Sequence, residues 1–141
     1  MSWQERAAAS HYQTAVAIAE ELTAGRVDEA AEGLGELIEA VARSERRDLR
    51  SQLIRLMVHV LKWREQPARR SASWAVTILQ AREEIAAIRE EVPSLTRAVV
   101  EEMWDACAKA AVRQAEAEMG QSVADRPLPW DDVLEAEYRL G

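Results

Sequence analysis

Apolar residues recur at three- and four-residue steps along most of the chain, which is the pattern of amphipathic α-helices. Ser2 and Gly25 frame the first periodic segment, Trp3 to Ala24, as a helix N-cap and a left-handed C-terminal residue would. We therefore expect a first helix here, with its apolar side chains facing the core. These side chains are Ala8, Tyr12, Ala15, Ala19 and Leu22.

The next periodic segment is longer. It starts near Asp28, and from Ser44 to Lys62 it contains neither glycine nor proline. We expect one helix of roughly 50 Å, continuous or bent near Ser44, which Pro67 ends because proline cannot continue a helix. That length exceeds what a compact four-helix body needs, so part of the helix is expected to reach into a partner subunit. Its apolar positions are Leu34, Leu37, Ile38, Val41, Leu49, Leu53, Leu56, Met57, Val60 and Leu61.

Two further main helices follow Pro67. Ser71 or Ser73 is placed to cap the first of them, and Ser94 is placed to cap the second. The second is expected over Leu95 to Met119 and closed by Gly120. The first carries a heptad-like apolar seam, which indicates antiparallel packing in a bundle. The seam consists of Trp74, Ile78, Ala81, Ile85, Ile88 and Val92.

Residues 121–129 have the polar, proline-bearing composition of an extended link, after which Asp131 is placed to cap a last short helix. The sequence therefore predicts an all-α fold. We expect an antiparallel helical bundle of four main helices, with a short C-terminal helix on an extended arm. The bundle domain is expected over residues 1–120 and the arm over residues 121–141.

Charge is distributed unevenly along the chain. The net charge is −7, yet residues 43–70 hold nine Lys and Arg against three acidic residues. This basic segment is either neutralised by acidic helices of its own chain or of a second copy, or it is directed at an anionic partner.

Several features indicate a cytoplasmic protein. No apolar run approaches the ~18 residues that span a membrane, and the N-terminus lacks the layout of a signal peptide. The single cysteine, Cys107, excludes an internal disulfide, which suits a reducing compartment.

No arrangement of residues typical of an enzyme is visible, and we expect neither a cofactor nor a metal. His11, His59 and Cys107 lie on three different predicted helices, whereas metal sites need three or four ligands together. Gly33-Leu34-Gly35 lacks the preceding strand and third glycine of a dinucleotide fingerprint. Cys107, among alanines, is typical of a buried inert thiol.

The richest group of unusual side chains lies around the end of the second predicted helix. His59 and Trp63 are four residues apart and share one face, close in sequence to Lys62 and Trp74. Two interpretations remain open for these residues. The aromatic rings fill space while His59 makes a buried hydrogen bond, or the group lines a pocket for a small ligand or an interface.

Anion binding is the most specific function that the sequence suggests. Arg69, Arg70, Ser71 and Ser73 lie just before and at a predicted helix start, where free N–H groups favour negative charge. Two occupants are open for this site. Glutamates of the same chain or of another subunit neutralise it, or it binds an external anion. Nucleic acid is disfavoured because the pI is near 5 and no aromatic stacking platform accompanies the arginines.

Parts of the chain also resemble a bacterial family known as domain of unknown function twenty-nine. The resemblance covers roughly Tyr12 to Leu134 and implies a small all-helical bundle with a trailing arm, forming a dimer. It implies no particular activity. The residues that carry it are Arg43-Ser44-Glu45-Arg46-Arg47, His59-Val60-Leu61-Lys62-Trp63, Gln66-Pro67, Arg70-Ser71-Ala72-Ser73-Trp74, Pro93-Ser94-Leu95 and Pro129-Trp130.

These observations favour a non-enzymatic helical interaction or regulatory module that forms a homodimer, with room for a further protein partner. Trp63, Trp74 and Trp130 are expected as interface anchors, since large aromatic groups dominate interfaces. The alternative is a protein that binds an anion or a nucleic-acid phosphate through the basic segment 43–70 and the start of the third main helix.

Overall fold

The computed structural model describes all 141 residues, of which 79% are helical and none lies in a strand. The predicted all-α class and helical bundle are confirmed. None of the helices combines the length and the apolar character that a membrane crossing requires. The α-helices are α1 (Trp3–Ala9), α2 (His11–Thr23), α3 (Val27–Glu65), α4 (Ala72–Glu91) and α5 (Arg97–Met119), and a short π-helical turn covers Asp131–Glu135.

The first predicted helix is wrong in one respect, because it is broken at Ser10. This residue is extended, with φ −160° and ψ 117°. Its hydroxyl accepts a hydrogen bond from the Gln13 N–H, and its carbonyl accepts one from the Thr14 hydroxyl. A serine cap therefore starts α2 in a stretch that contains neither glycine nor proline. The expected cap at Ser2 and the positive φ at Gly25, 80°, are both present.

Helix α3 is continuous through Ser44 and contains 39 residues. At about 1.5 Å per residue it is about 58 Å long. It ends at Glu65, two residues before Pro67, as predicted. A 3₁₀ turn over Pro67–Arg69 then leads to α4.

The chain divides into two compact units, Met1–Arg47 and Asp48–Gly141. In the first unit, α2 and the N-terminal part of α3 form an antiparallel hairpin joined by three residues. Its interior is made of small and medium side chains, including Thr14, Ile18, Ala30 and Ala40. Trp3 lies against Gly33, where an added Cβ would come within 2.8 Å of the indole. Helix α1 therefore covers one side of this hairpin.

The second unit contains the large apolar core. The C-terminal half of α3 contributes Leu49, Leu53, Leu56, Met57 and Leu61, all 0% exposed. The predicted seam of α4 faces this core, with Ile78, Ala81 and Ile85 buried and the other three positions half-buried. The seam is therefore used for packing within the chain.

Caps define the ends of α4 and α5. Ser71 caps α4, and Gly120 closes α5 with φ 68°, both as predicted. The cap of α5 is Thr96 and not Ser94. The reason is packing, because starting the helix after Thr96 places Leu95 and Val100 as a buried hydrophobic staple.

Residues 121–141 lie along the second unit. Trp130 stacks on Trp104, and Val133 is fully buried. The expected Asp131 cap is not formed, since Asp131 instead opens a π-helical turn closed by the Ala136 N–H on its carbonyl. The division of the chain at residue 120 stays a prediction.

Candidate functional site

The end of α3 and the start of α4 bring together four of the residues singled out in the sequence. The Lys62 ammonium lies 5.9 Å from the centre of the Trp74 ring. The Arg70 guanidinium lies 5.2 Å from the Trp63 ring, and its Nε donates a 2.8 Å hydrogen bond to the Trp63 carbonyl. Both contacts are cation–π pairs, and Arg70 in addition satisfies a free carbonyl at the end of α3.

Trp63 lies inside the second unit, with only 6% of its surface exposed. Its ring meets Tyr138 edge to face, with centroids 5.8 Å apart and an angle of 74° between the planes. Trp74 and Trp130 are half-buried. The interface role expected for the three tryptophans stays a prediction, while their present contacts are those of packing residues.

Lys62 is neutralised within the chain. Its ammonium is 2.9 Å from a carboxylate oxygen of Glu118 on α5, and its side chain is only 16% exposed. The hydrogen bond from Lys62 lowers the pKa of Glu118 below its usual range.

His59 is half-buried and bonded to the main chain. Its Nδ1 is 2.9 Å from the Arg55 carbonyl, which can only accept, so Nδ1 carries the proton. Burial lowers the pKa of His59, and the nearby positive charges of Lys62 and Arg55 act in the same direction. This is the buried hydrogen bond that the sequence offered as one of two interpretations.

The four residues of the predicted anion site have separate surroundings. Arg70 is engaged by Trp63, and the Ser71 hydroxyl accepts a hydrogen bond from the Trp74 N–H. Arg69 and Ser73 are exposed. An anion there would meet one free arginine and one free hydroxyl, and the site stays a prediction.

The basic segment 43–70 is only partly neutralised by its own chain. Lys62 pairs with Glu118, Arg64 with Glu65, and Arg43 weakly with Glu39 at 4.0 Å. No acidic residue of α4 takes part in an ion pair. The arginines without an ion pair are Arg46, Arg47, Arg50, Arg55, Arg69 and Arg70.

A polar cleft lies in the first unit, where the break at Ser10 faces α3. Its volume is about 310 Å³, and its polar lining consists of Ser10, His11, Arg43, Ser44 and Arg47. The sequence indicated the two arginines as part of the basic segment. It gave no signal for His11 or for the break, because the alanines before Ser10 favour an unbroken helix.

The first unit also exposes much apolar surface. The face of α2 that was expected to be buried is exposed instead, including Tyr12 at 78% and Leu22 at 54%. On α3, Leu34 is 48% and Ile38 is 60% exposed. A smaller unit buries less of its apolar surface, but this exposure is concentrated along two neighbouring helices.

A second groove, of about 320 Å³, runs between α4 and the C-terminal residues of the second unit. Val76, Leu79 and Tyr138 form its apolar walls, and Arg82 lies at its side. Arg82 already donates to the Val133 carbonyl at 2.9 Å and lies 5.6 Å from the Tyr138 ring. Its charge therefore holds the C-terminal residues in place.

The model of one family, the domain of unknown function DUF29, matches residues 9–139. No curated protein and no solved structure matches the chain. Since the match covers all but the two ends, and extends on both sides of the stretch that first suggested it, this chain belongs to the DUF29 family.

Proposed function

We propose that this protein is a non-enzymatic helical interaction module that works as a homodimer in the cytoplasm, and that the α2–α3 hairpin of the first unit forms the dimer interface. The observation that carries the proposal is the apolar side of this hairpin. Four of the ten large apolar side chains that are exposed lie on this side, namely Leu22, Val27, Leu34 and Ile38.

The positions of these side chains follow from helical periodicity. The buried positions of α2 are Thr14 and Ile18, and those of α3 within the first unit are Ala30, Gly33 and Ala40. In an antiparallel hairpin with these faces in contact, one open side is formed by Ala15 and Leu22 of α2 together with a strip of α3. That strip consists of Val27, Leu34, Ile38 and Val41.

The two sides of the hairpin differ in what covers them. Trp3 of α1 lies against Gly33 and donates a 3.1 Å hydrogen bond to Glu29, so α1 covers the opposite side. The apolar side has no such cover within the unit. Two hairpins that place their apolar sides together would give the four-helix arrangement that is common among dimeric bundles.

Charge along α3 supports a second copy as the occupant. Between Val27 and Glu39 the helix carries five acidic residues and no basic one, whereas Arg43, Arg46 and Arg47 follow within eight residues. A two-fold axis near Val41 makes the two α3 helices antiparallel, and the acidic part of each then lies opposite the basic part of the other.

A non-enzymatic role is supported by the state of the reactive groups. The Cys107 thiol is 1% exposed, and burial raises its pKa, which leaves little nucleophilic thiolate. His59 is engaged by a main-chain carbonyl. The single, buried cysteine also suits a reducing cytoplasm.

The experiment is light scattering coupled to size exclusion at tens of micromolar protein, with three proteins compared. We expect the unaltered chain to be a dimer, Ile38→Glu to be a folded monomer, and Val16→Glu to remain a dimer. Val16 is the matched control, since it is exposed on the side of α2 that faces away from both α3 and the proposed interface. A monomeric unaltered chain, or a dimer that survives Ile38→Glu, would overturn the proposal.

A further inference from the structure

The cleft at the break between α1 and α2 has the composition of an anion site. Five of its eight lining residues are polar, and three of these have nitrogen-bearing side chains, namely His11, Arg43 and Arg47. No acidic residue lines it. We infer that this cleft binds the phosphate group of a small phosphorylated molecule.

The two arginines are placed on one face of α3, one helical turn apart. Like charges at this spacing repel each other and destabilise a helix, and the chain offers little to offset that repulsion. Arg43 reaches Glu39 only at 4.0 Å, with both side chains more than half exposed, and Arg47 has no ion pair. An anion between the two guanidinium groups would relieve the repulsion and accept paired N–H bonds.

The opposite wall is built by the break itself. Because Ser10 is extended, α2 starts afresh at His11, and the first N–H groups of a helix have no carbonyl partner within it. The Ser10 hydroxyl oxygen accepts a hydrogen bond from the Gln13 N–H, which fixes its position in the wall and leaves its own O–H free to donate to a ligand. The His11 ring and the Ser44 hydroxyl form no hydrogen bond with the protein, which leaves both free for a ligand.

The size of the cleft decides the class of ligand. A volume of about 310 Å³ falls at the lower end of small-molecule sites and is larger than one phosphate ion needs. Three alanines, Ala8, Ala9 and Ala40, supply the remaining surface. Such a lining suits a phosphate monoester whose uncharged part rests on small apolar side chains. It lies on another face of α3 than the proposed dimer strip and does not depend on that proposal.

The test is calorimetric titration of the full chain with inorganic phosphate and, separately, with adenosine monophosphate. We expect Arg47→Ala and Arg43→Ala each to weaken binding of the monophosphate by about tenfold or more, since a hydrogen bond to a charged group is lost. Arg46→Ala is the matched control. This variant also removes one positive charge from α3, but Arg46 lies on a different face of the helix from Arg47. We expect it to change the dissociation constant for adenosine monophosphate by less than twofold.

Each outcome separates the proposal from its alternatives. If Arg46→Ala weakens binding as much as Arg47→Ala, or if neither probe binds at millimolar concentration, the proposal is overturned. It is also overturned if a single-stranded oligonucleotide binds far more tightly and with equal dependence on all these arginines, which would indicate a nucleic-acid surface. Should Arg47→Ala fail to fold by circular dichroism, Arg47→Lys keeps the charge but loses the paired geometry, and weaker binding by this variant supports the site.

Amide chemical shifts provide an independent measurement. On addition of adenosine monophosphate, the N–H signals of His11 and Tyr12 should move more than those of the α4 start at Ala72 and Ser73. The opposite pattern would assign the anion to the site predicted around Arg69 and would overturn the cleft.

Discussion

The indole of Trp104 stacks on that of Trp130, with ring centroids 5.3 Å apart and 22° between the planes. The Arg97 guanidinium lies 4.2 Å from the Trp130 ring, so Trp130 is contacted both by a second indole and by a cation. In addition, the Trp104 Nε1 donates a 2.8 Å hydrogen bond to the Leu128 carbonyl. These contacts fasten the C-terminal arm to α5.

Replacing Trp130 by alanine should therefore loosen the arm. We expect Trp130→Ala to lower the free energy of unfolding by about 2 kcal/mol, less than for a fully buried tryptophan. Urea denaturation measures this, and a protease that cleaves after glutamate should cut faster after the exposed Glu135 in the same variant. Trp130→Phe keeps an aromatic ring and should lose less than half as much. Equal stability and equal cleavage in all three proteins would contradict the anchoring role.

Arg70 and the neighbouring Arg69 offer a matched pair. Arg70→Ala removes a hydrogen bond to the Trp63 carbonyl and a cation–π contact, and we expect a loss of about 1 to 2 kcal/mol in the free energy of unfolding. Arg69→Ala removes an exposed side chain without an ion pair and should change it by less than about 0.5 kcal/mol. If Arg70→Ala keeps full stability but loses anion binding, Arg70 serves the predicted anion site instead.

The two glycines near the start of α3 should respond in opposite ways to alanine. At Gly33 a Cβ would lie 2.8 Å from the Trp3 indole, so Gly33→Ala should displace α1 and destabilise the first unit. At Gly35 nothing lies within 4 Å, and Gly35→Ala should stabilise by about 0.5 to 1 kcal/mol through helix propensity. Melting temperatures give the sign, and the indole N–H signal of Trp3 in an NMR spectrum should shift only in Gly33→Ala. A stabilised Gly33→Ala protein would show that α1 does not pack on this position.

His59 should make stability depend on pH. Burial lowers the pKa of His59 below its usual value of 6.5, so the unfolded chain binds a proton more readily than the folded protein. The contribution of neutral His59 to the free energy of unfolding is therefore fully present above about pH 6.5. It is lost as the pH drops through that value toward the lowered pKa of the folded protein. We expect the urea concentration at the unfolding midpoint to be lower at pH 5.5 than at pH 7.5. The difference between the two pH values should be smaller in His59→Gln. This range lies above that in which Glu118, whose pKa is lowered, becomes protonated. An equal fall in both proteins would assign the effect to other groups.

Local signals in the sequence were sufficient for the ends of most helices. Ser2, Ser71, Pro67 and Gly120 act through their own backbone and side-chain geometry, so each could be recognised without knowledge of the fold. The choice between Ser94 and Thr96 could not, since both hydroxyls can cap. It depends on where Leu95 packs, which is a property of the tertiary structure.

The buried face of the first segment was assigned incorrectly for a related reason. Helix α2 has apolar residues on both faces, and the face used within the chain contains Thr14 and Ile18. Counting apolar positions favoured Tyr12 and Leu22, which are in fact exposed. Periodicity identifies an apolar face but not what covers it. The cleft could not be predicted from the sequence either, because His11 and the two arginines come together only across the break at Ser10.

The C-terminal arm is held largely through its own main chain. Arg64 donates to the Pro127 carbonyl, Trp104 to that of Leu128, and Arg82 to that of Val133. Carbonyl groups are the same in every residue, so most side chains of the arm can change without loss of these bonds. The donors Arg64, Arg82 and Trp104 cannot be replaced in this way, because the hydrogen bonds depend on their side chains. Mutational tolerance should therefore be high at the exposed positions of the arm and low at its distant donors, Arg64, Trp104 and Arg82.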